Sequence, residues 1–316
     1  MGESWTVEAS DEGLRLDKFL ADARRLGSRA SVAAALSRGK IFLNEAEATS
    51  TDAARRVVRG DVVRVWMDRP GSSRPRRGTF EEGDLRVVHE DDDLVVVDKP
   101  PGLLTVPLDR RAGAASVVDL LALHWRSRGK RLPLVVHRID RDTSGLVIFA
   151  ANRRAQQRLK RQFLRREPER VYWAVLHGRL RPEAGEWRDR LVWNERALIQ
   201  RKARPADPEA LDAVCTYRVL EAFDAATVVE VRLDTGKQNQ IRIQAQLHGH
   251  PLVGERRYVD EEVRQNGVAF ARQALHAFRL SFRHPADDRL LRFEAPLPAD
   301  LRKLLSRLRV QAGDQS

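Results

Sequence analysis

The stretch that most constrains this chain is the run HRIDRDTSG at 137–145, set between two apolar segments at 132–136 and 146–150. Short apolar runs bounded by turn residues read as buried strands, so the run between them is a connection at strand ends. A turn needs only residues such as Gly, Asn or Pro. This one instead holds His137, Arg138, Asp140, Arg141 and Asp142. Charge gathered on a loop that a rigid scaffold positions points to a functional site. From the residues alone two readings stand. Asp140 and Asp142 either cap a turn or pair with Arg138 and Arg141, or one of them acts on a substrate.

The length of 316 residues allows one large domain or two. A formal net charge of +12 calls for a polyanionic partner, and nucleic acid is the commonest one for a basic protein. Arginine outnumbers lysine, which suits bidentate phosphate contacts and would equally follow from a GC-rich genome. The single cysteine, Cys215, excludes an intrachain disulfide framework and a Cys-rich metal cluster. His248 and His250 lack a third ligand at suitable spacing, so no metal site is expected. No GxGxxG or P-loop pattern opens a helix, and no cofactor is expected. No apolar run is long enough to span a bilayer and the first residues do not read as a signal peptide, so the expectation is a cytoplasmic protein with no membrane partner.

Along the chain, 12–68 reads as a small unit. Leu16, Phe19 and Leu20 begin one helical pattern, Val32, Ala35 and Leu36 continue a second, and 41–44 and 62–65 are strand-like. The stretch 69–79, rich in Pro, Gly, Ser and Arg, has linker composition. In 80–311 strands are expected at 94–97, 134–136, 147–149, 171–175, 215–220, 227–233, 275–282 and 290–293, with helices at 152–165, 239–248 and 299–308. Strands joined mostly by short loops favour an α+β domain with a mostly antiparallel sheet. The helix at 152–165 carries Arg154, Arg158 and Arg161, either as a solvated face or as phosphate contacts near Asp140.

The run at 137–145 closely resembles the HRLDxxTSG signature of the RluA family of RNA pseudouridine synthases. The run LDTGKQNQIR at 233–242 resembles that family's LxTGRxHQIR motif, with Lys237 and Asn239 in place of its arginine and histidine. KPPG at 99–102, RVYWAV at 170–175, RQALHA at 272–277 and GHPLVG at 249–254 match further elements, with Glu255 where aspartate is usual. The order of residues over 16–63 resembles the RNA-binding module named after ribosomal small-subunit protein four, with Ala30 where a serine is usual. The resemblance implies an α+β pseudouridine synthase domain with a central cleft, preceded by a small RNA-binding α/β-hairpin domain. It further implies Asp140 as catalytic nucleophile, Arg242 as its ion-pair partner and Tyr172 as the side chain stacking on the uracil. Leu275 would wall the pocket, and Arg138, Arg141, Thr143, Lys237 and Asn239 would contact substrate. Arg24, Arg25, Arg29, Arg38 and Lys40 would grip RNA backbone. KPPG would support the loop, and His276 would serve as a structural hydrogen-bonder.

Uridine-to-pseudouridine isomerisation breaks a glycosidic bond, turns the base and rejoins it through C5. It asks for a nucleophilic carboxylate, a cation beside it and a group able to handle the C5 proton. The partner implied is ribosomal RNA or transfer RNA, with the enzyme acting as a monomer. Two rivals follow from the same residues: an inactive RNA-binding protein of this fold acting in ribosome assembly, and a glycosylase that releases the base. Asp140 and Arg242 are far apart in sequence, so only the fold can bring them together.

Overall fold

The computed structural model describes residues 3–37, 39–67, 85–107, 115–125, 132–195, 197 and 199–313. The chain divides into two compact units, Met1–Thr79 and Phe80–Ser316. The linker expected at 69–79 and Arg38 lie outside the described residues.

The first unit runs β1 (Glu3–Thr6), α1 (Leu16–Leu20), α2 (Arg29–Ser37), β2 (Ile41–Leu43), β3 (Ala46–Glu47), a 3-10 turn at Ser50–Ala54 and β4 (Val62–Val65). The strands form one antiparallel sheet in the order β1-β4-β2-β3. The unit begins earlier than the expected boundary at 12, because β1 pairs with β4. Asn44 and Glu45, both at positive φ, make the two-residue turn between β2 and β3, the geometry that matches strand twist. The apolar helix positions read from the sequence, Leu16, Phe19, Leu20, Val32 and Leu36, close over Ile41, Leu43 and Val63 in one core.

The second unit contains β5 (Arg86–Glu90), β6 (Leu94–Lys99), α3 (Val117–His124), β7 (Leu134–Val135), β8 (Ser144–Ala150) and α4 (Arg153–Leu164). It continues through β9 (Glu169–His177), β10 (Ala184–Asn194), β11 (Ile199–Lys202), β12 (Leu211–Ala222), β13 (Ala226–Leu233) and α5 (Gln240–Leu247). It ends with α6 (Glu261–Asn266), β14 (Leu275–Arg283), β15 (Leu290–Glu294) and α7 (Ala299–Gly313). One sheet of 11 strands runs β11-β10-β12-β13-β9-β14-β8-β6-β5, with β15 on β14 and β7 on β8. All its pairings are antiparallel among the described residues except β8 with β14. The fold is therefore α+β, as the strand-rich pattern implies.

The apolar run after the motif is continuous because β8 is buried on both faces. Val147 and Phe149 join the core that holds Tyr172 and Leu275. Leu146, Ile148 and Ala150 face a second core, roofed by Ala155 and Leu159 of α4. Asn152 caps α4 by accepting from the Ala155 N–H. Three helix expectations hold to within a turn at their starts, and α7 runs on to Gly313. β10 and β11 escape the sequence pattern: only Trp187, Leu191 and Val192 of β10 are buried, amid Glu, Arg and Asp.

The parallel contact explains the last motif residue. Ser144 and Gly145 pair with His276 and Ala277, and Gly145 sits at φ 109°. A Cβ there would run into the Ala277 backbone. Gly145→Ala should therefore destabilise the full chain by about 2–4 kcal/mol in urea unfolding. Unchanged stability would show that the two strands can separate without cost.

Candidate active site

Asp140 lies in the loop between β7 and β8, and that loop's backbone is held from three sides. Lys99, buried at the end of β6, donates through Nζ to the carbonyls of Pro100 (2.9 Å), Leu103 (2.8 Å) and Arg141 (2.8 Å). Thr105 Oγ donates to the Ile139 carbonyl at 2.7 Å. Arg272, paired with Asp300, donates to the Asp142 carbonyl at 2.9 Å. Burial pulls Lys99 down to about 7, against the attraction of Asp142 and Asp140. Its three carbonyl acceptors are the fold's use for KPPG.

Arg242 enters from α5. Asn239 precedes the helix in the left-handed conformation, φ 54°, which asparagine tolerates. Gln240 anchors the turn by accepting from Thr235 Oγ (2.7 Å) and the Lys237 N–H (2.9 Å). One edge of the Arg242 guanidinium is spent on Glu255, with Nε and Nη2 each donating at 2.7 Å. Nη1 remains, and it donates to Asp140 Oδ2 at 3.0 Å and Asn239 Oδ1 at 3.2 Å. The side chains of Asp140, Arg242 and Glu255 are 25%, 12% and 0% exposed. Burial alone would raise Glu255, but Arg242 and the Arg256 and Arg257 N–H groups hold it below its ordinary value. Arg242 in turn is held above its ordinary value, because the Glu255 carboxylate outweighs burial.

Register places the rest. Tyr172 stands opposite Val231 of β13, and Leu275 of β14 stands opposite Ala174. Directly paired residues share a face, as do residues two apart on a strand. Tyr172, Leu233 and Leu275 therefore lie on one face, where they border a cavity of about 250 Å3. Burial raises Tyr172; Arg170 opposes this and Asp140 adds to it, so the side chain stays a phenol at neutral pH.

The cavity gathers Asp140, Arg242, Tyr172, Leu275, Arg138, Thr143, Lys237 and Asn239. Arg141 is not among them: its side chain pairs with Asp142, and its carbonyl takes Lys99 and the Gly102 N–H. The bland reading of the loop thus holds for Arg141 and Asp142. Two other expectations need correction. Arg25 donates to the Phe19 carbonyl and to Asp11 and stacks on the Phe19 ring, so it is used inside its own unit. Arg158 donates to the Pro285 carbonyl, whereas Arg154 and Arg161 point outward. Arg24 and Arg29 are exposed and Lys40 is half-buried. His276 is a structural hydrogen-bonder, between Ser144 Oγ and the Ala295 carbonyl, and burial lowers it to about 4. His248 stacks on Trp187 and His250 binds the His177 carbonyl, so neither faces the other as a ligand pair. Thr105 and Arg272 went unnoticed as loop supports, since their carbonyl contacts leave no pattern in sequence.

Residues 93–247 match the family model described as RNA pseudouridylate synthase. A Bacillus subtilis protein named uncharacterized RNA pseudouridine synthase YlyB is 32% identical over 308 residues, covering 96% of this chain and 97% of that one. Ribosomal large subunit pseudouridine synthase D of Vibrio cholerae is 33% identical over 320 residues, covering 97% and 95%. Among solved structures, human RNA Pseudouridylate Synthase Domain Containing 4 shares the fold, with a TM-score of 0.58 at 23% identity over 71% of this chain and 93% of that one. The cavity and these likenesses agree: the chain belongs to the RluA-type family of RNA pseudouridine synthases. Among the described residues no helix is long and apolar enough to cross a membrane.

The Glu255 pair has a pH signature. A carboxylate whose folded pKa is depressed adds stability above its unfolded value, near 4.5, and loses that contribution as pH falls through the folded value. Glu255→Gln should cost about 3 kcal/mol at neutral pH. That deficit should shrink as pH falls below the unfolded value, read by urea unfolding across the acid range. A deficit independent of pH would mean that charge is not what Glu255 contributes.

Proposed function

We propose that this protein isomerises uridine to pseudouridine in large-subunit ribosomal RNA, with Asp140 as nucleophile. The observation that carries the reading is the Asp140–Arg242 contact of 3.0 Å at the wall of a cavity floored by Tyr172 and Leu275. The ribosomal target rests on the printed activity of relatives such as the Vibrio cholerae enzyme; transfer RNA is the second substrate class. A uridine inside a folded RNA cannot reach Asp140, so the base must leave its stack and enter the cavity. Arg242, fixed by Glu255, holds the carboxylate oriented toward the space an uncharged base would occupy. Asp140 attacks the sugar as the N-glycosidic bond breaks, the base turns, and C5 bonds to the sugar as the bond to Asp140 breaks, N1 taking up a proton. Loss of the C5 proton then restores the aromatic ring.

Tyr172 offers a flat face for the uracil and a hydroxyl at hand for that proton. Burial keeps it a phenol, which favours stacking and relay over unaided uptake of a proton. Leu275 closes the apolar side. Thr143, Arg138, Lys237 and Asn239 line the entry, Asn239 by holding Arg242 and the Tyr258 hydroxyl. The unit at 12–68 would act as the ribosomal-protein-S-four type module, joined by the basic linker 69–79 to the catalytic domain at 80–311. Arg24, Arg29, Lys40 and Arg38 of that module, with Arg154 and Arg161 on α4, would meet RNA phosphates. The enzyme would work as a cytoplasmic monomer.

Asp140→Ala should abolish tritium release from C5-tritiated uridine in ribosomal RNA transcripts while RNA affinity stays within a few-fold of wild type. Turnover retained by that variant removes Asp140 from the mechanism. Absence of release by the wild-type protein from any ribosomal or transfer RNA leaves the inactive RNA binder.

A further inference from the structure

Arg170 stands two residues before Tyr172 on β9, and so projects from the same face of the sheet. Its guanidinium is half-buried, yet no carboxylate lies within ion-pair distance among the described residues. Nη2 makes one long bond of 3.5 Å to the Leu233 carbonyl. Nε is shut off from solvent with no partner at all. The plane lies over the Phe163 ring, 5.8 Å from its centroid. Arg242 and Arg272, two other part-buried arginines of this unit, are each satisfied by a carboxylate, Glu255 and Asp300.

A buried cation without an anion is costly, and such a group calls for an explanation. The charged groups around it do not supply one. Asp234, at the end of β13, attracts it from beyond contact, Arg166 repels it from the loop after α4, and Tyr172 is neutral as a phenol. Its position says where the missing anion comes from. Nη1 lies so close beneath Gly236 that a Cβ there would collide with it, and Gly236 is part of the cavity rim. The guanidinium is therefore one backbone layer from the space that receives the base. An RNA strand whose uridine is turned into that cavity must leave its phosphates at the rim. A guanidinium edge is the group that grips a phosphate in bidentate fashion.

We propose that Arg170, with the exposed Arg166 beside it, receives a backbone phosphate of the RNA strand that delivers the uridine. The phosphate completes the ion pair that the free protein lacks, so part of the binding energy is released only when the strand lies across the cavity. Arg170 is thereby a positioning residue, touching backbone and not the reacting base. This inference rests on the proposed isomerase reading.

The test compares full-length wild type with Arg170→Met and Arg170→Lys, using fluorescein-labelled oligouridylate and a range of KCl concentrations. Arg170→Met should weaken binding about tenfold at low salt and reduce the log–log salt slope by about 0.7, the share of one single-strand phosphate. Arg170→Lys should keep the wild-type slope. A methylphosphonate moved along the oligonucleotide should weaken wild-type binding at one linkage and leave Arg170→Met unaffected there. With ribosomal RNA, Arg170→Met should raise KM more than it lowers kcat. A wild-type salt slope in Arg170→Met, or a loss confined to kcat and melting temperature, overturns the proposal and leaves Arg170 as packing for the Gly236 turn. The two readings fail separately. An active wild type with equal slopes sinks only the phosphate site; an inactive wild type with unequal slopes sinks only the isomerase.

Discussion

One guanidinium shared by two carboxylates organises this protein. Arg242 gives two donors to Glu255 and keeps a third for Asp140, so three charges meet with one negative charge in excess. That excess sits at the open end. Glu255 is sealed and takes further bonds from backbone N–H groups, whereas Asp140 keeps a quarter of its side chain exposed. The buried pair thus serves as a fixed base from which a single N–H reaches into the cavity. Its desolvation cost is offset by geometry that leaves the arginine no alternative pose.

The loop carrying Asp140 is rigid for a different reason. Its carbonyls are claimed by Lys99, Thr105 and Arg272, groups from three separate parts of the chain. The loop then passes directly into β8, which is buried on both faces and pinned to β14 where Gly145 meets Ala277. Asp140 and Tyr172 consequently ride on one sheet, Asp140 at the head of β8 and Tyr172 within β9, with β14 between the two strands.

The departures from the family pattern acquire physical meanings. Asn239 occupies a left-handed position ahead of α5, and its amide bridges Arg242 to the Tyr258 hydroxyl. An asparagine there supports the arginine. Glu255 in place of aspartate still reaches Arg242 with both oxygens. Lys237 keeps a cation at the rim, with its backbone held by Gln240.

Much was legible before any coordinates. The apolar runs around 137–145 and the helix patterns at 152–165 and 239–248 follow from local composition and spacing, because burial period and turn residues are written along the chain. The roles expected of Asp140 and Tyr172 came from the resemblance of their motifs to the family. The charged strand β10 was hidden, since only a few of its side chains face a core and the rest are polar. Local sequence also could not say which cations near Asp140 serve it: Arg141, its neighbour, turns away to Asp142, while Arg242, 102 residues on, makes the contact. Nor could it show Arg25 and Arg158 spent within the fold, or Arg170 left without an anion. The sequence by itself determined most of the elements and which reactive side chains the chain carries. Which charges meet was decided only by the tertiary structure, because ion pairing depends on distance and desolvation in space, and neither quantity is carried by position along a chain.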